Sequence, residues 1–264
     1  MNQQVLVSIV TPSFNQAGFL AHTIESVLAQ TYPNIQYIIM DGGSSDDSLE
    51  IIKKYGKRIS YFESQKDLGQ TDALNKGFAH AEGEIFAWLN ADDTYLPYAV
   101  SRAVEVLQSN PEIGLVYGDA NYIDANDRII GKFPAAQTDY ARLKRGYVHI
   151  PQQAAFFRGE LWQRIGPLDP SFYFAMDYDL WCRLAKISQL KYIPEVWANF
   201  RLHPDAKTII ADNLCWPEML RVHFREGGSW FSPIVVKYFL RKLAAPAISY
   251  RRKRMIMKNA GKEE

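Results

Sequence analysis

Phe86-Ala87-Trp88-Leu89-Asn90-Ala91-Asp92-Asp93 is an apolar run that ends in two adjacent carboxylates. Like charges side by side at a strand end repel each other and resist desolvation. A divalent cation with a phosphate on its far side would reconcile them. The alternative is a solvated turn ahead of Pro97, because Asp is common in turns. The residues upstream decide between the two.

Ile85 to Leu89 is the fourth strand of a series. Val5 to Val10 reads as a buried strand ended by Thr11-Pro12-Ser13, Ile35 to Met40 as a strand ending at Asp41-Gly42-Gly43, and Ile59 to Glu63 as a third. Ala21 to Gln30, Ser48 to Tyr55 and Thr71 to Ala81 carry helical spacing between them. Strand–helix alternation with short connections predicts an α/β fold, a Rossmann-like, mostly parallel central sheet with helices on both faces. Such sheets bind ligands at the carboxyl ends of their strands. Polar residues stand at those ends: Thr11, Ser13 and Asn15, then Asp41, Ser44, Ser45 and Asp46, then Asp67, then Asn90, Asp92 and Asp93. That is where a nucleotide site needs them.

Beyond Pro97 the pattern changes. Ala99 to Gln108 is helical, Ile113 to Tyr117 a strand, and Asp124-Ala125-Asn126-Asp127 a turn between antiparallel strands. A helix from Asp177 to Ala185 and a strand from Tyr192 to Phe200 follow. Residues 1–205 read as one domain and 206–264 as a helical tail.

The chain has 264 residues, enough for one large α/β domain plus a tail. Its net charge of +1 hides an asymmetry: from Lys237 onward nine Lys/Arg face only Glu263 and Glu264, so an acidic body carries a basic tail. Cys182 and Cys215 make no disulfide framework and read as buried thiols of a reducing compartment. Met1-Asn2-Gln3-Gln4 lacks the basic start of a signal peptide, and no apolar run reaches the roughly 18 residues of a membrane span. The expectation is a cytoplasmic protein, with a peripheral position at the inner membrane face left open by the tail. Nucleic acid is not an expected partner.

Asp41-Gly42-Gly43-Ser44-Ser45-Asp46-Asp47-Ser48 is a Gly-rich turn entering a helix; it fits a capped turn or a base-binding loop. It is neither a Walker loop nor a dinucleotide fingerprint. A carboxylate such as Asp41 can accept the N3–H of a uracil edge, and a thymine edge equally. In Asp67-Leu68-Gly69-Gln70-Thr71-Asp72-Ala73-Leu74-Asn75-Lys76-Gly77, Gly69 permits close backbone approach and the helix start attracts phosphate. Asn75 and Lys76 fit an ordinary helix surface as well.

Thr11-Pro12-Ser13-Phe14-Asn15, Asp41 to Asp46, Asp67-x-Gly69 with Asn75-x-Gly77, and Asn90-Ala91-Asp92-Asp93 occur in that order. Together they resemble the nucleotide half of family 2 glycosyltransferases, the inverting enzymes of the GT-A fold. The resemblance covers roughly residues 6–205, about three quarters of the chain. It implies a nucleotide-binding half at 1–97 and an acceptor half at 98–205. It also implies a nucleoside-diphosphate sugar donor, with a UDP-sugar favoured.

Asn90-Ala91-Asp92 stands at the family's DxD position, where Mn²⁺ or Mg²⁺ bridges protein and diphosphate. Asn90 replaces the first Asp, which leaves Asp92 and Asp93 as metal carboxylates and Asn90 as a ribose or sugar contact. Asp41 matches the uracil-binding residue, Thr11 and Pro12 the loop flanking the base, and Asn15, Asp67, Gly69 and Asn75 the rest of the donor site. His149-Ile150-Pro151-Gln152-Gln153 and Phe172 to Trp181 resemble the acceptor segment, implying acceptor contacts at Gln152, Gln153 and Trp181. Met176 replaces the Glu of that segment's Glu-Asp pair. Asp177 remains, with the general-base role by resemblance and a helix N-cap as the plainer reading. His203 is a structural histidine or, by resemblance, a third metal ligand. Lys207 and Arg201 are candidates to neutralise the departing diphosphate.

The implied function is inverting transfer of a sugar to a hydroxyl of a glycan or lipid-linked saccharide, as in cell-surface polysaccharide synthesis. A nucleotidyltransferase would need a Gly-rich loop with a cation near the N-terminus, and residues 11–17 hold no Lys or Arg. A sugar-nucleotide-binding module without transfer draws support from Asn90 and Met176. In the tail, Trp230 to Ala245 followed by Arg251-Arg252-Lys253-Arg254 suits either a membrane interface or a helix packed on the body.

Overall fold

The computed structural model describes residues 4–204, 206–207 and 212–243, with backbone only for 212–214. Val7–Ser13 (β1) is buried along its whole length, as a strand covered on both faces must be. Its residues alternate between the two sides of the sheet. Val10 joins Ile38, Met40, Trp88 and Phe157 in one apolar cluster; Val7 and Ile9 join Tyr37, Ile39, Ala87 and Phe156 in the other. The two-residue period of a strand thus builds two cores from one continuous apolar run.

The remaining strands are Ile35–Asp41 (β2), Tyr61–Ser64 (β3), Ile85–Trp88 (β4), Thr94–Tyr95 (β5), Ile113–Ile123 (β6), Ile129–Lys132 (β7), Ala155–Arg158 (β8) and Gln189–Arg201 (β9). They form one nine-stranded sheet in the order β3-β2-β1-β4-β8-β6-β9-β5, with β7 paired to β6. β1 to β4 are mutually parallel, and so are β6 and β9. β8 runs antiparallel between β4 and β6, so the sheet is mixed beyond β4. The expected hairpin is β6–β7, turning at Asp127 with φ +62°.

The helices are Leu20–Leu28 (α1), Ser48–Tyr55 (α2), Gln70–Ala79 (α3), Ala99–Ser109 (α4), Tyr140–Lys144 (α5), Gly159–Ile165 (α6), Met176–Ala185 (α7) and Asp212–Arg225 (α8). Residues 233–243 are also helical. The chain leaves β1 toward β2 on one side and returns to β4 on the other, which makes a switch point between β1 and β4. Strand pairing there ends at Val10 and Trp88. Pro12, which has no N–H to donate, therefore lies where β4 no longer needs one.

The expected boundary at residue 205 does not separate a tail from the body. Val222 of α8 is fully buried in the core cluster that contains α7. Glu226 pairs with Lys186 at 2.7 Å, and Arg225 with Asp179 of α7. The basic run Arg251 to Arg254 lies outside the described residues.

Helix α3 lies so close to β1 that a Cβ on Gly77 would stand 2.4 Å from Cγ1 of Val10. Alanine gains about 1 kcal/mol of helix propensity over glycine, but overpacking against a stiff β-branched side chain costs about 1–3 kcal/mol. Gly77→Ala is therefore expected to lower stability by up to about 2 kcal/mol in urea denaturation; a stabilised variant would contradict the packing.

Candidate active site

The carboxyl ends of β1, β2 and β4 open into a cleft of about 780 Å³. Pro12, Gly42, Asp67, Asn90 and Asp92 line it, together with Gln152, Gln153, Asp177 and Lys207. Its size is that of a small-molecule site.

The two carboxylates that open the sequence part company here. Asp92 lines the cleft. Its Oδ2 lies 3.1 Å from Nε2 of His203. Asp93 is fully buried and turned into the protein, where Oδ1 accepts the backbone N–H of Arg201 at 2.9 Å and Oδ2 the Asn90 amide at 3.2 Å. Burial, and then the charge of Asp92, push the Asp93 carboxyl well above the ordinary aspartate range. The expectation of Asp93 as a metal carboxylate is thus corrected: its lone pairs serve the end of β9.

Arg201, fully buried, is corrected likewise. Its guanidinium donates to the carbonyls of Asp92 (2.8 Å) and Asp124 (3.0 Å) and to the Asp127 carboxylate (2.6 Å). It lies over the Phe19 ring. It braces the loop after β4.

His203 follows two residues later, tilted against Phe19 with ring centroids 4.7 Å apart. Adjacent ligands of an octahedral ion at about 2.1 Å stand about 3 Å apart, close to the observed spacing of Asp92 and His203. A carboxylate and an imidazole suit Mn²⁺ or Mg²⁺ completed by phosphate oxygens and water. Among the described residues no three His, Cys, Asp or Glu converge to hold an ion by themselves. The donor's own oxygens would have to complete such a site.

Asn90 sits at the centre of a polar chain. Its amide nitrogen also donates to Gln152 Oε1 at 3.2 Å, and its Oδ1 accepts from Gln70 Nε2 at 2.7 Å. Gln70 Oε1 accepts from Lys207 Nζ at 2.8 Å. Burial pushes the Lys207 ammonium down to about 8, while Asp177 and Glu218 pull it back up. Asp177 occupies the first turn of α7 and accepts the N–H of Tyr178 at 2.7 Å. It does not cap the helix, whose N-cap is Ala175. Desolvation raises its carboxyl above the ordinary value. Met176, in place of the family Glu, is buried with its sulfur accepting from Thr71 Oγ1.

On the base side, Asp41 Oδ2 accepts Gly43 N–H, Ser44 N–H and Ser64 O–H, and Oδ1 accepts the Ser44 hydroxyl. At 3% exposure Asp41 shapes the loop and does not face the cleft. The carboxylate that does is Asp67, which would stand 2.8 Å from a Cβ on Gly42 and accepts the Gly69 N–H at 2.8 Å. Gly69 has φ +108°, a conformation suited to glycine. Asn15, with φ +51°, accepts Ser45 N–H at 2.8 Å and ties the two loops together.

Three further expectations move. Thr11 is buried, sharing a hydrogen bond with Tyr37 Oη. Asn75 spends both ends of its amide on the backbone of Leu168, at 2.9 Å each. Trp181 is fully buried, stacked on Trp88 at 5.5 Å, and is not among the residues that line the cleft. In each case the side chain completes packing or backbone hydrogen bonding first. Of the two thiols, Cys182 is buried, whereas Cys215 is half-buried on the cleft wall.

Glu218 was not visible as a site residue. From α8 its carboxylate accepts three successive N–H groups, of Tyr173 (3.0 Å), Phe174 (2.7 Å) and Ala175 (2.9 Å), just ahead of Asp177. One turn on, Arg221 donates to the Ser171 carbonyl and lies over the Phe172 ring at 3.9 Å. Gln70 was equally silent, since a glutamine at a helix start carries no signal of its own.

The switch-point cleft, lined by Asp92 with His203 behind it and by Asp177 and Lys207, belongs to an α/β protein of GT-A type. The chain is a member of glycosyl transferase family 2, whose family model matches residues 8–166. It is 32% identical over 212 residues to an uncharacterized glycosyltransferase of Rickettsia typhi, covering 77% of this chain and 65% of that protein. It is also 32% identical over 192 residues to one of Mycobacterium tuberculosis, covering 72% of each. The chain spans about two thirds of the length of the first curated relatives.

Among solved structures it is similar in fold to S. aureus TarS in complex with UDP-GlcNAc. That match has TM-score 0.69 and 14% identity and covers 84% of this chain and 66% of that one. It is also similar to the mannosyltransferase PcManGT of Pyrobaculum calidifontis in complex with GDP-Man and Mn²⁺. There the TM-score is 0.64 and the identity 19%, covering 88% and 68%.

Charge-assisted hydrogen bonds contribute about 1.5–3 kcal/mol each when buried and less where water can replace them. Glu218→Ala is expected to lower stability by about 1–3 kcal/mol. Turnover should fall further than donor affinity, read as kcat against donor KM. Unchanged turnover would show that the loop before Asp177 holds without α8.

Proposed function

We propose that this protein is an inverting, metal-assisted glycosyltransferase. It moves a hexose-type sugar from a nucleoside diphosphate to a hydroxyl of a glycan or lipid-linked saccharide, in polysaccharide synthesis. The observation that carries the reading is the convergence on one cleft of Asp92, with His203 Nε2 3.1 Å behind its carboxylate, and of Asp177 with Lys207. UDP is the favoured nucleotide, with Asp67 in place of Asp41 as acceptor of the base N3–H.

Asp92 and His203 would hold Mn²⁺ or Mg²⁺, which when bound supplies positive charge to the donor diphosphate. Lys207, fixed by Gln70, offers a second positive charge to the leaving group, and Asn90 and Gln70 offer hydrogen bonds to the ribose or sugar. Asp177 accepts the acceptor's hydroxyl proton as that oxygen bonds the anomeric carbon and the bond to the diphosphate breaks. The raised carboxyl of Asp177 makes it a better base than an ordinary aspartate. One displacement from the opposite face inverts the anomeric centre and needs no protein nucleophile.

A sugar-nucleotide-binding module without transfer is the second reading, favoured by the buried Met176 where the family has Glu. Nucleoside-diphosphate release from a panel of UDP-, dTDP- and GDP-sugars separates the two. Turnover is expected to require a divalent ion, vanish with a chelator and return with Mn²⁺. Asp177→Asn should lower transfer by about 10²–10⁴, and Asp92→Ala should abolish the metal response. Donor binding without turnover of any sugar nucleotide would favour the module.

The pH profile carries signs that can be worked out. Asp177 acts when ionised, so its raised carboxyl places the acid limb above the ordinary aspartate range. Lys207 acts when protonated, so activity is expected to decline as pH rises through about 8. Lys207→Met should remove the alkaline limb and lower kcat; an alkaline limb that persists would assign it to another group.

A further inference from the structure

The helix over residues 233–243 is apolar on the side turned away from the protein. Ile234 and Val235 are buried on its inner side, with Ile234 seated against Gly146, where a Cβ would come within 2.5 Å. Val236, Phe239, Leu240 and Leu243 recur at i, i+3, i+4 and i+7, and so share one outward stripe. All four are exposed, Leu243 to 80%, and Trp230 (68%) and Phe231 (94%) precede them. The outer face of a docked helix is ordinarily polar, so an apolar stripe there marks a contact surface.

Charge identifies what it contacts. Lys237 and Lys242 flank the stripe, and Lys237, Arg142 and Arg145 all approach the ring of Tyr147 at 5.7–5.8 Å. Among the described residues no carboxylate forms an ion pair with these three cations. An apolar stripe with cations beside it matches the acyl boundary and headgroups of an anionic bilayer. Two copies meeting through the stripe would instead bring like charges together. Among the described residues no helix is long and apolar enough to cross a membrane, so the contact lies in the interface plane.

We propose that Trp230, Phe231 and the Val236–Phe239–Leu240–Leu243 stripe dock this protein on an anionic lipid surface, with Arg142, Arg145 and Lys237 meeting the headgroups. The surface adjoins the cleft: Val148 and Ile150, next to Tyr147, line it with Met219 of α8. Under the transferase reading, on which this last consequence rests, the acceptor hydroxyl is presented from the bilayer.

The test is co-sedimentation of the full chain with vesicles of phosphatidylcholine alone or mixed equally with phosphatidylglycerol. Binding to the mixed vesicles is expected, about tenfold weaker binding to phosphatidylcholine, and a blue shift of tryptophan emission on the mixed vesicles. Phe239→Glu with Leu243→Glu should lower partitioning about tenfold or more, while donor turnover in solution and the circular dichroism spectrum stay unchanged. Absence of pelleting would overturn the proposal. So would binding that survives the double variant, since the remaining basic residues would then suffice. A dimer dissolved by that variant in sedimentation velocity would assign the stripe to a second copy instead. Because donor turnover is read without vesicles, failure of the docking surface and failure of the transferase reading give different results.

Discussion

Two neighbouring carboxylates cannot both remain charged in one partly desolvated cleft without a counter-charge, and the geometry of this site follows from how that conflict is resolved. Asp93 turns inward, where burial favours its neutral form and the Arg201 N–H and Asn90 amide hold it. That bond ties the end of β4 to the end of β9, elements more than a hundred residues apart. Arg201 reinforces the tie by donating to the Asp92 carbonyl. Two residues later the chain delivers His203 to the Asp92 carboxylate. Asp92 thus stays at the cleft with His203 against its carboxylate, while Asp93 is given up to structure.

The loop that carries Asp177 depends on a different anchor. The segment before α7 has successive N–H groups pointing one way, an arrangement that attracts an anion. Glu218 supplies it from α8, and Arg221 and Arg225, further along the same helix, hold Ser171 and Asp169. The two described C-terminal helices therefore do different work. Helix α8 clamps the loop that carries Asp177, and the helix after it packs by Ile234 and Val235 while leaving its apolar stripe outward.

Much of the fold was legible because its signals are local. An apolar strand, a polar turn and an amphipathic helix repeat along the first hundred residues, and the structure has β1-α1-β2-α2-β3-α3-β4 there. Pro12, Asp67, Gly69, Asn90 and Asp92 were legible as cleft residues because a parallel sheet puts its ligand at strand ends. Less legible was the antiparallel insertion of β8 between β4 and β6, because pairing partners distant in sequence leave no local pattern. Asp41, Asn75, Thr11 and Trp181 carry the right chemistry for ligand contact. Their hydrogen bonds and packing are spent inside the protein.

The sequence by itself determined the α/β class, the strand-end location of the cleft and the family, since periodicity and motif order are properties of the chain read in one dimension. Only the tertiary structure decided which carboxylate of Asp92-Asp93 faces the cleft, that Arg201 is a brace, and that Glu218 reaches back to the loop before Asp177. Residue type states what a side chain is able to bond. Burial and the nearest donor decide what it does bond, and both are set by contacts between segments the sequence keeps far apart.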